Sequence, residues 1–330
     1  MRKASKYAYE VTKEFNYPRE DALVEGVIKL YENDMAERLI EKIISLGLEK
    51  ADFKYLSKDL IKKKYGFDNK SGIFFKNGGW VSPNKICSSL INHKNIKFIP
   101  KKKAKEITYK KNLWITSCHD SSQYAASNLI LCNSFGLNEI SLFKSIDLKK
   151  NRGQINWLPS KKKCGYKEII SDGGYLIPDV NGFDVFGSTY ERDNENKNLS
   201  MTDFEKNLKT YQNLSGDKRE KNDASNAGWV GWRAVTPDRT PYVGQILDES
   251  KGICNKSRSI KDLKWHPNLF INAGYGSRGY TLAPFLSKCL ASLIIGSQTP
   301  EEKEILNYLN PSRNFIKKMG LRKKMLENSI

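Results

Sequence analysis

The chain alternates between stretches of helical and of extended hydrophobic spacing. Residues 5–16 form a charged amphipathic stretch that reads as a helix, and Ala36, Leu39, Ile40, Ile43 and Ile44 repeat at helical intervals over 35–46. Residues 24–31 alternate as a strand does, and 71–75 form a second strand that runs into Gly78-Gly79-Trp80-Val81-Ser82-Pro83. Residues 85–91 follow as a helix, with the proline near its start. Short β runs are expected at 96–99, 106–109 and 113–117, separated by lysine-rich turns, and the unbroken apolar run 129–132 predicts a strand buried on both faces.

From residue 150 the texture changes to short strands punctuated by Gly and Asp, at 155–158, 175–178, 184–187 and 229–235, with a helix at 202–214. This pattern predicts an antiparallel sheet. The last part returns to strand-then-helix order, with a strand at 269–272, a glycine turn, an apolar helix at 280–295, a polar break at 296–300 and a short helix from Glu301. Because the two textures alternate along the chain, two interleaved domains are expected.

Composition narrows the function classes. Hydrophobic residues at 39%, with 14 Phe, 16 Tyr and 6 Trp, suit a folded enzyme rather than a disordered tail. Lys and Arg number 56 against 37 Asp and Glu, a net charge of +19 that attracts polyanions, nucleic acid first among them. The runs Lys62–Lys64, Lys101–Lys103, Lys161–Lys163 and Lys317–Lys318 also read as solvated faces, and charge alone leaves both readings open. The cysteines at 87, 118, 132, 164, 254 and 289 contain no C-x-x-C pair and the 3 histidines form no ligand cluster, so neither a metal site nor a disulfide framework is expected. Cys87, Cys118, Cys132 and Cys289 read as small core residues. The N-terminus carries no apolar signal stretch, and the run 280–295 is broken by Lys288 and short for a bilayer, so a cytoplasmic protein with no membrane partner is expected.

The candidate chemistry gathers at glycines. Residues 274–279 spell G-x-G-x-x-G, which in a dinucleotide site opens a βαβ unit. Here no second strand follows to complete that unit, so a strand, a turn and a helix remain, with a different role. Arg233 lies in the apolar strand 229–235, where a guanidinium needs an anionic partner. Asp238 is one such partner, and a substrate carboxylate is the other. Arg278 stands at the mouth of a helix, whose dipole favours negative charge.

These motifs resemble those of the FAD-dependent amine oxidases of the D-amino-acid and glycine oxidase type. Within that group the chain is most similar to the tRNA wobble-uridine oxidoreductases that form the C-terminal half of MnmC proteins. The resemblance rests on Gly231-Trp-Arg233-Ala-Val-Thr236-Pro-Asp238-Arg-Thr-Pro241-Tyr-Val243-Gly244, on Ala273-Gly274-Tyr275-Gly276-Ser277-Arg278-Gly279 with Ala283-Pro284, on Leu309-Asn310-Pro311-Ser312-Arg313, and on Gly78 to Pro83. It implies an α/β (α+β) fold of D-amino-acid oxidase type, an incomplete FAD-binding Rossmann-like domain interleaved with an antiparallel-sheet substrate domain. The implied parts are an FAD-domain helix at 1–18, substrate-domain segments at 19–80 and 149–243, and FAD-domain segments at 81–148 and 244–330, the last with a basic tail. The family's N-terminal G-x-G-x-x-G, which holds the ADP half of FAD, has no match before residue 78, so a fragment, a misplaced start or one half of a split protein is expected.

By this resemblance the cofactor is FAD and the partner is tRNA, with a methyltransferase half or a separately encoded N-terminal fragment as further partners. Arg233 would grip the substrate carboxylate in a two-point contact that lysine cannot copy. Arg278 and the turn would stabilise reduced flavin, and Tyr175 would line the substrate cavity, the alternative for it being an ordinary core tyrosine. Asn133, Gly274, Tyr275, Gly276, Ser277, Arg278, Gly279, Tyr280 and Thr281 are the implied cofactor-binding residues. Ser134 stands where the family has glycine. Gly187-Ser188-Thr189-Tyr190 and Gly153-Gln154 match family turns and strands and read as structural. Two other functions stay open: oxidation of a free small amino acid such as glycine or sarcosine, and flavin-free tRNA binding.

Overall fold

Helix α1 (Arg2–Glu14) opens the chain, and Ala4, Ala8 and Thr12, four residues apart, form its one buried stripe. The computed structural model describes residues 2–327 apart from 16, 19, 141, 144–145, 162–164, 219–226 and 250–262; Cys164, Cys254 and two of the lysines in the run 161–163 therefore lie outside the described residues. After α1 come β1 (Ala22–Leu23), β2 (Val27–Glu32), α2 (Met35–Ser45), β3 (Phe53–Leu56), α3 (Lys58–Tyr65), β4 (Lys70–Phe75), β5 (Trp80–Val81) and α4 (Pro83–Ile91). Helix α3 is capped at both ends, the Ser57 hydroxyl accepting from the Leu60 N–H and Gly66 leaving in the left-handed conformation. The Gly78-Gly79 pair is steric in origin: a Cβ on Gly79 would lie 2.2 Å from the Leu23 carbonyl oxygen, so the β1–β5 contact requires glycine there.

The middle of the chain supplies β6 (Ala104–Lys110), β7 (Leu113–Cys118), β8 (Gln123–Ala126) and β9 (Leu129–Leu131). Then follow β10 (Lys149–Pro159), β11 (Ile169–Asp172), β12 (Gly174–Val180), β13 (Phe183–Gly187), β14 (Glu191–Arg192), α5 (Met201–Ser215), β15 (Gly228–Val235), β16 (Tyr242–Leu247) and β17 (Trp265–Ala273). Helices α6 (Gly279–Ile295), α7 (Pro300–Leu309), α8 (Arg313–Lys318) and α9 (Arg322–Glu327) complete it.

Among the described residues these strands form one large sheet of nine, in the order β14-β10-β13-β12-β11-β2-β4-β3 with β15 on the other edge of β10. Its pairs are antiparallel except β11 with β2. A smaller sheet has the order β16-β17-β9, antiparallel and then parallel, and β6-β7-β8 form a separate antiparallel meander. The large sheet buries one face against α5, where Leu158, Ile170, Leu176, Phe186, Phe204 and Tyr211 form the core. The small sheet buries Val243 and Phe270 against α6 and α7, and Ala4 of α1 joins that cluster. Tyr7 meets Phe285 edge to face. No single helix among the described residues is long and apolar enough to cross a membrane; α6 and α7, taken together, are bent by 109°.

Three expectations are corrected. Residues 96–99 form no strand: Ile96 and Phe98 are exposed and the segment is irregular, because no neighbouring strand or layer faces its alternation. The run 129–132 is not buried on both faces, since β9 pairs with β17 alone among the described strands and leaves Ile130 and Cys132 exposed. Cys87 is also exposed, on the outer side of α4, whereas Cys118 and Cys289 are buried as expected, and burial pushes the Cys289 thiol up to about 11.

The turn between β15 and β16 is fixed from the C-terminus. Arg313, only 4% exposed, donates from Nε and Nη2 to the two carboxylate oxygens of Asp238 at 2.8 and 2.7 Å. Its other N–H groups reach the carbonyls of Thr240, Pro241, Leu309 and Asn310, and its guanidinium lies 4.3 Å from the centre of the Tyr242 ring. Burial would raise the Asp238 carboxyl, but hydrogen bonds from Arg313 and the Thr240 N–H outweigh it and hold the group below its usual range. Arg313→Ala is expected to cost about 2–3 kcal/mol of unfolding free energy, read from denaturation curves, below the range for a fully buried pair because Asp238 is partly open to water. Since the folded carboxyl titrates lower than the unfolded one, the advantage of the native protein over Asp238→Asn is full above about pH 4 and disappears as pH falls through the folded value; paired denaturation curves from pH 7 downward check this.

Candidate active site

Strands β10 and β15 run antiparallel with Asn151 opposite Arg233 and Gly153 opposite Gly231. Alternation puts Arg152, Gln154 and Asn156 on the face that α5 covers. Arg152 is fully buried there in an ion pair with Asp203, and Asn207 donates to the Gln154 carbonyl and to Asn156 Oδ1, each at 2.9 Å. With that face filled, Asn151, Gly153 and Arg233 belong to the other.

On this second face the glycines make room for large side chains. A Cβ on Gly153 would lie 2.3 Å from Arg233 Nη1, and one on Gly231 would lie 2.2 Å from the Trp229 ring. The guanidinium therefore lies across bare backbone. It donates from Nη2 to Ser188 Oγ at 2.8 Å and from Nη1 to the Thr189 carbonyl at 3.4 Å. Its Cζ is 5.5 Å from the centre of the Tyr190 ring, and Asn151 holds the Tyr190 hydroxyl. Tyr175, which pairs with Gly187 in the next strand, is raised by burial, and the Arg233 charge opposes that rise. Among the described residues no carboxylate lies within ion-pair distance of Arg233, and Asp238, its one expected protein partner, is engaged by Arg313. A half-buried cation with unused donors calls for an anion from outside.

The end of β15 meets the glycine turn through a bridge between Val235 and Tyr275. Gly274 at φ 81° and Gly276 at φ 58° take left-handed conformations, and a Cβ on Gly274 would come within 2.8 Å of Thr236 Cγ2. The turn feeds α6, whose N-cap Arg278 makes no side-chain cap. Its first N–H groups and the positive end of its dipole therefore favour an anionic or electron-rich group at this end. Tyr190, Val235, Arg239 and residues 274–278 enclose a cavity of about 310 Å³. A larger cavity of about 610 Å³ lies elsewhere, walled partly by Glu20, Glu25, Asp179 and Asp184; those carboxylates suit an anion poorly, and none of the expected site residues lines it.

The structure thus brings Gly274, Tyr275, Gly276, Ser277 and Arg278 together around one cavity, with Tyr190 linking it to Arg233. Gly279 and Thr281 lie in the first turn of α6. Tyr280 turns towards α1, its hydroxyl 2.7 Å from Thr12 Oγ1. Tyr275 bonds Asn272 and is pushed up by burial. Arg278 is exposed and donates to the Arg239 carbonyl at 3.0 Å. Asn133 sits at the end of β9 and does not line the cavity, yet the following Ser134 keeps φ 55°, the left-handed backbone that glycine favours. Sequence reasoning missed Ser188, Tyr190 and Arg239 as site residues. The first two act across more than forty residues of chain, where no local spacing signals a contact.

The family described as FAD dependent oxidoreductase matches residues 2–293. The tRNA 5-methylaminomethyl-2-thiouridine biosynthesis bifunctional protein MnmC of Leptospira interrogans serogroup Icterohaemorrhagiae serovar copenhageni is 30% identical over 269 residues, covering 76% of this chain and 41% of its own. MnmC of Pseudomonas syringae pv. syringae is 24% identical over 304 residues, covering 87% and 46%. The chain spans less than half the length of these curated relatives. Among solved structures, L-proline dehydrogenase from P. horikoshii superposes with a TM-score of 0.74 at 14% identity, over 95% of this chain and 82% of that one. Glycine oxidase from Bacillus cereus gives 0.71 at 15% identity, over 90% and 81%. The large sheet and the glycine turn lie within the residues that the family matches, the fold is shared with these solved structures, and the chain belongs to the family of FAD dependent oxidoreductases.

Proposed function

We propose that the protein acts in the cytoplasm as the oxidoreductase half of tRNA wobble-uridine modification, converting a carboxymethylaminomethyl group to aminomethyl with release of glyoxylate. The observation that carries this reading is Arg233, a cation laid over Gly153, held by Ser188, with no carboxylate among the described residues within ion-pair distance. The names of the curated relatives supply the tRNA; the net charge of +19 suits its phosphates.

The turn 274–278 and the first turn of α6 fit the electron-rich end of a flavin, since the left-handed glycines at 274 and 276 bend the backbone around the cavity and the helix end, with no side-chain cap, offers N–H donors. Residues 274–278 and the backbone N–H groups of the first turn of α6 would hold it, with Arg278 adding positive charge at the same end. When bound, FAD supplies the two-electron oxidation of the substrate's carbon–nitrogen bond. Arg233 fixes the carboxylate by two parallel N–H donors, which sets the position of the neighbouring carbon. The Tyr190 ring restricts water around that guanidinium and strengthens its pull on the carboxylate.

Incubation of carboxymethylaminomethyl-containing tRNA with the protein and FAD, followed by nucleoside mass spectrometry, tests the reading: aminomethyl-uridine and glyoxylate are expected. Unchanged nucleoside would refute it, and hydrogen peroxide from glycine alone would favour a free amino-acid oxidase. Arg233→Lys, which keeps the charge and loses the two-point contact, is expected to lower kcat/KM by about 10–100-fold, equivalent to about 1.4–2.8 kcal/mol. Gly153→Ala places a methyl group where the guanidinium lies. It is expected to lower kcat/KM by about tenfold while moving stability by less than about 1 kcal/mol, with kinetics and denaturation read on the same preparation.

A further inference from the structure

Arg239 stands at the mouth of the cavity in a setting that folding alone does not explain. Its backbone is left-handed, at φ 58°, a conformation that costs energy for any residue with a Cβ and that glycine or asparagine would take more readily. The turn around it is fully tied. Its own N–H donates to the Thr236 carbonyl at 3.1 Å, the Thr236 hydroxyl to the Thr240 carbonyl at 2.8 Å, and the Thr240 N–H to Asp238 at 3.1 Å. Its carbonyl accepts from Arg278 at 3.0 Å. The Arg239 side chain, by contrast, is exposed, and no carboxylate among the described residues pairs with it. It nevertheless lines the same cavity as Tyr190 and the glycine turn.

A rigid turn, held through Asp238 by the buried Arg313, therefore presents one free guanidinium at the rim of the site. Arg278 lies beside it, so the rim carries two cations, and Arg233 lies beyond Tyr190. A small amino acid carries one carboxylate, which Arg233 alone satisfies; a second cationic position at the mouth suits a ligand with an anionic group outside the reacting one. We propose that Arg239 is a phosphate-contact residue, gripping the backbone of the polynucleotide next to the nucleotide whose side chain enters the cavity. This assignment rests on the tRNA reading and adds a residue that selects polynucleotide over free amino acid. Guanidinium geometry suits it, since two parallel N–H donors match two phosphate oxygens.

The test is the salt dependence of tRNA binding by the full chain with FAD in excess, compared among the native protein, Arg239→Ala and Arg239→Lys. Each lost phosphate contact removes about 0.7–0.9 from the slope of log affinity against log salt. Arg239→Ala is expected to reduce the slope by that amount and to weaken binding several-fold at low salt, and Arg239→Lys to restore the slope. If tRNA binds but Arg239→Ala leaves the slope unchanged, the assignment of Arg239 is wrong and the tRNA reading stands. If the native protein binds no tRNA, both fall.

Discussion

The site depends on which arginine Asp238 pairs with. Asp238 and Arg233 lie on one short stretch of chain, where an apolar strand turns into its neighbour, and a contact between them would close the site. Arg313 prevents this. It comes from the C-terminal helices, is almost wholly buried, and takes both carboxylate oxygens while its remaining donors hold the carbonyls around the turn. A buried pair of this kind adds little net stability over an apolar packing, because desolvation offsets attraction. Its contribution here is geometric: it ties the β15–β16 turn to the C-terminal segment and leaves Arg233 facing an open site.

The sheet completes the arrangement by treating its two faces differently. One face of β10 is filled by a buried polar network, Arg152 with Asp203 and Asn207 with Gln154 and Asn156, which fixes the register of the strand against α5. The other face has glycines at 153 and 231, so that long side chains can lie flat on the backbone. Register and notch together define where the Arg233 guanidinium sits. The bridge from Val235 to Tyr275 then sets that face against the uncapped end of α6, so Arg233 and the glycine turn are held on one frame.

Much of this was readable in the chain. Hydrophobic spacing placed the helices near 35–46, 202–214 and 280–295 and the strands of the large sheet, because each element buries one face and alternation or helical spacing records it. The strand-turn-helix at 269–295 and the place of Arg233 in a strand were legible as well. What failed were readings that depend on neighbours. The run 129–132 is as apolar as a central strand, but β9 has a single partner among the described residues; residues 96–99 alternate without a layer to face. The pairing of Asp238 with Arg313 was not legible for the same reason, since Arg313 is 75 positions away and nothing local points to it. Tyr190 and Ser188 reached the site only through the register of β13 and β10.

Whether Asp238 belongs to Arg313 and leaves Arg233 available to a ligand is read by a pair of double-mutant cycles in stability that need no cofactor. One cycle pairs Asp238→Asn with Arg313→Met, the other pairs Asp238→Asn with Arg233→Met. A coupling energy above about 1 kcal/mol is expected in the first cycle and one within about 0.5 kcal/mol of zero in the second. A large coupling between Asp238 and Arg233, with little between Asp238 and Arg313, would contradict the Asp238–Arg313 pairing.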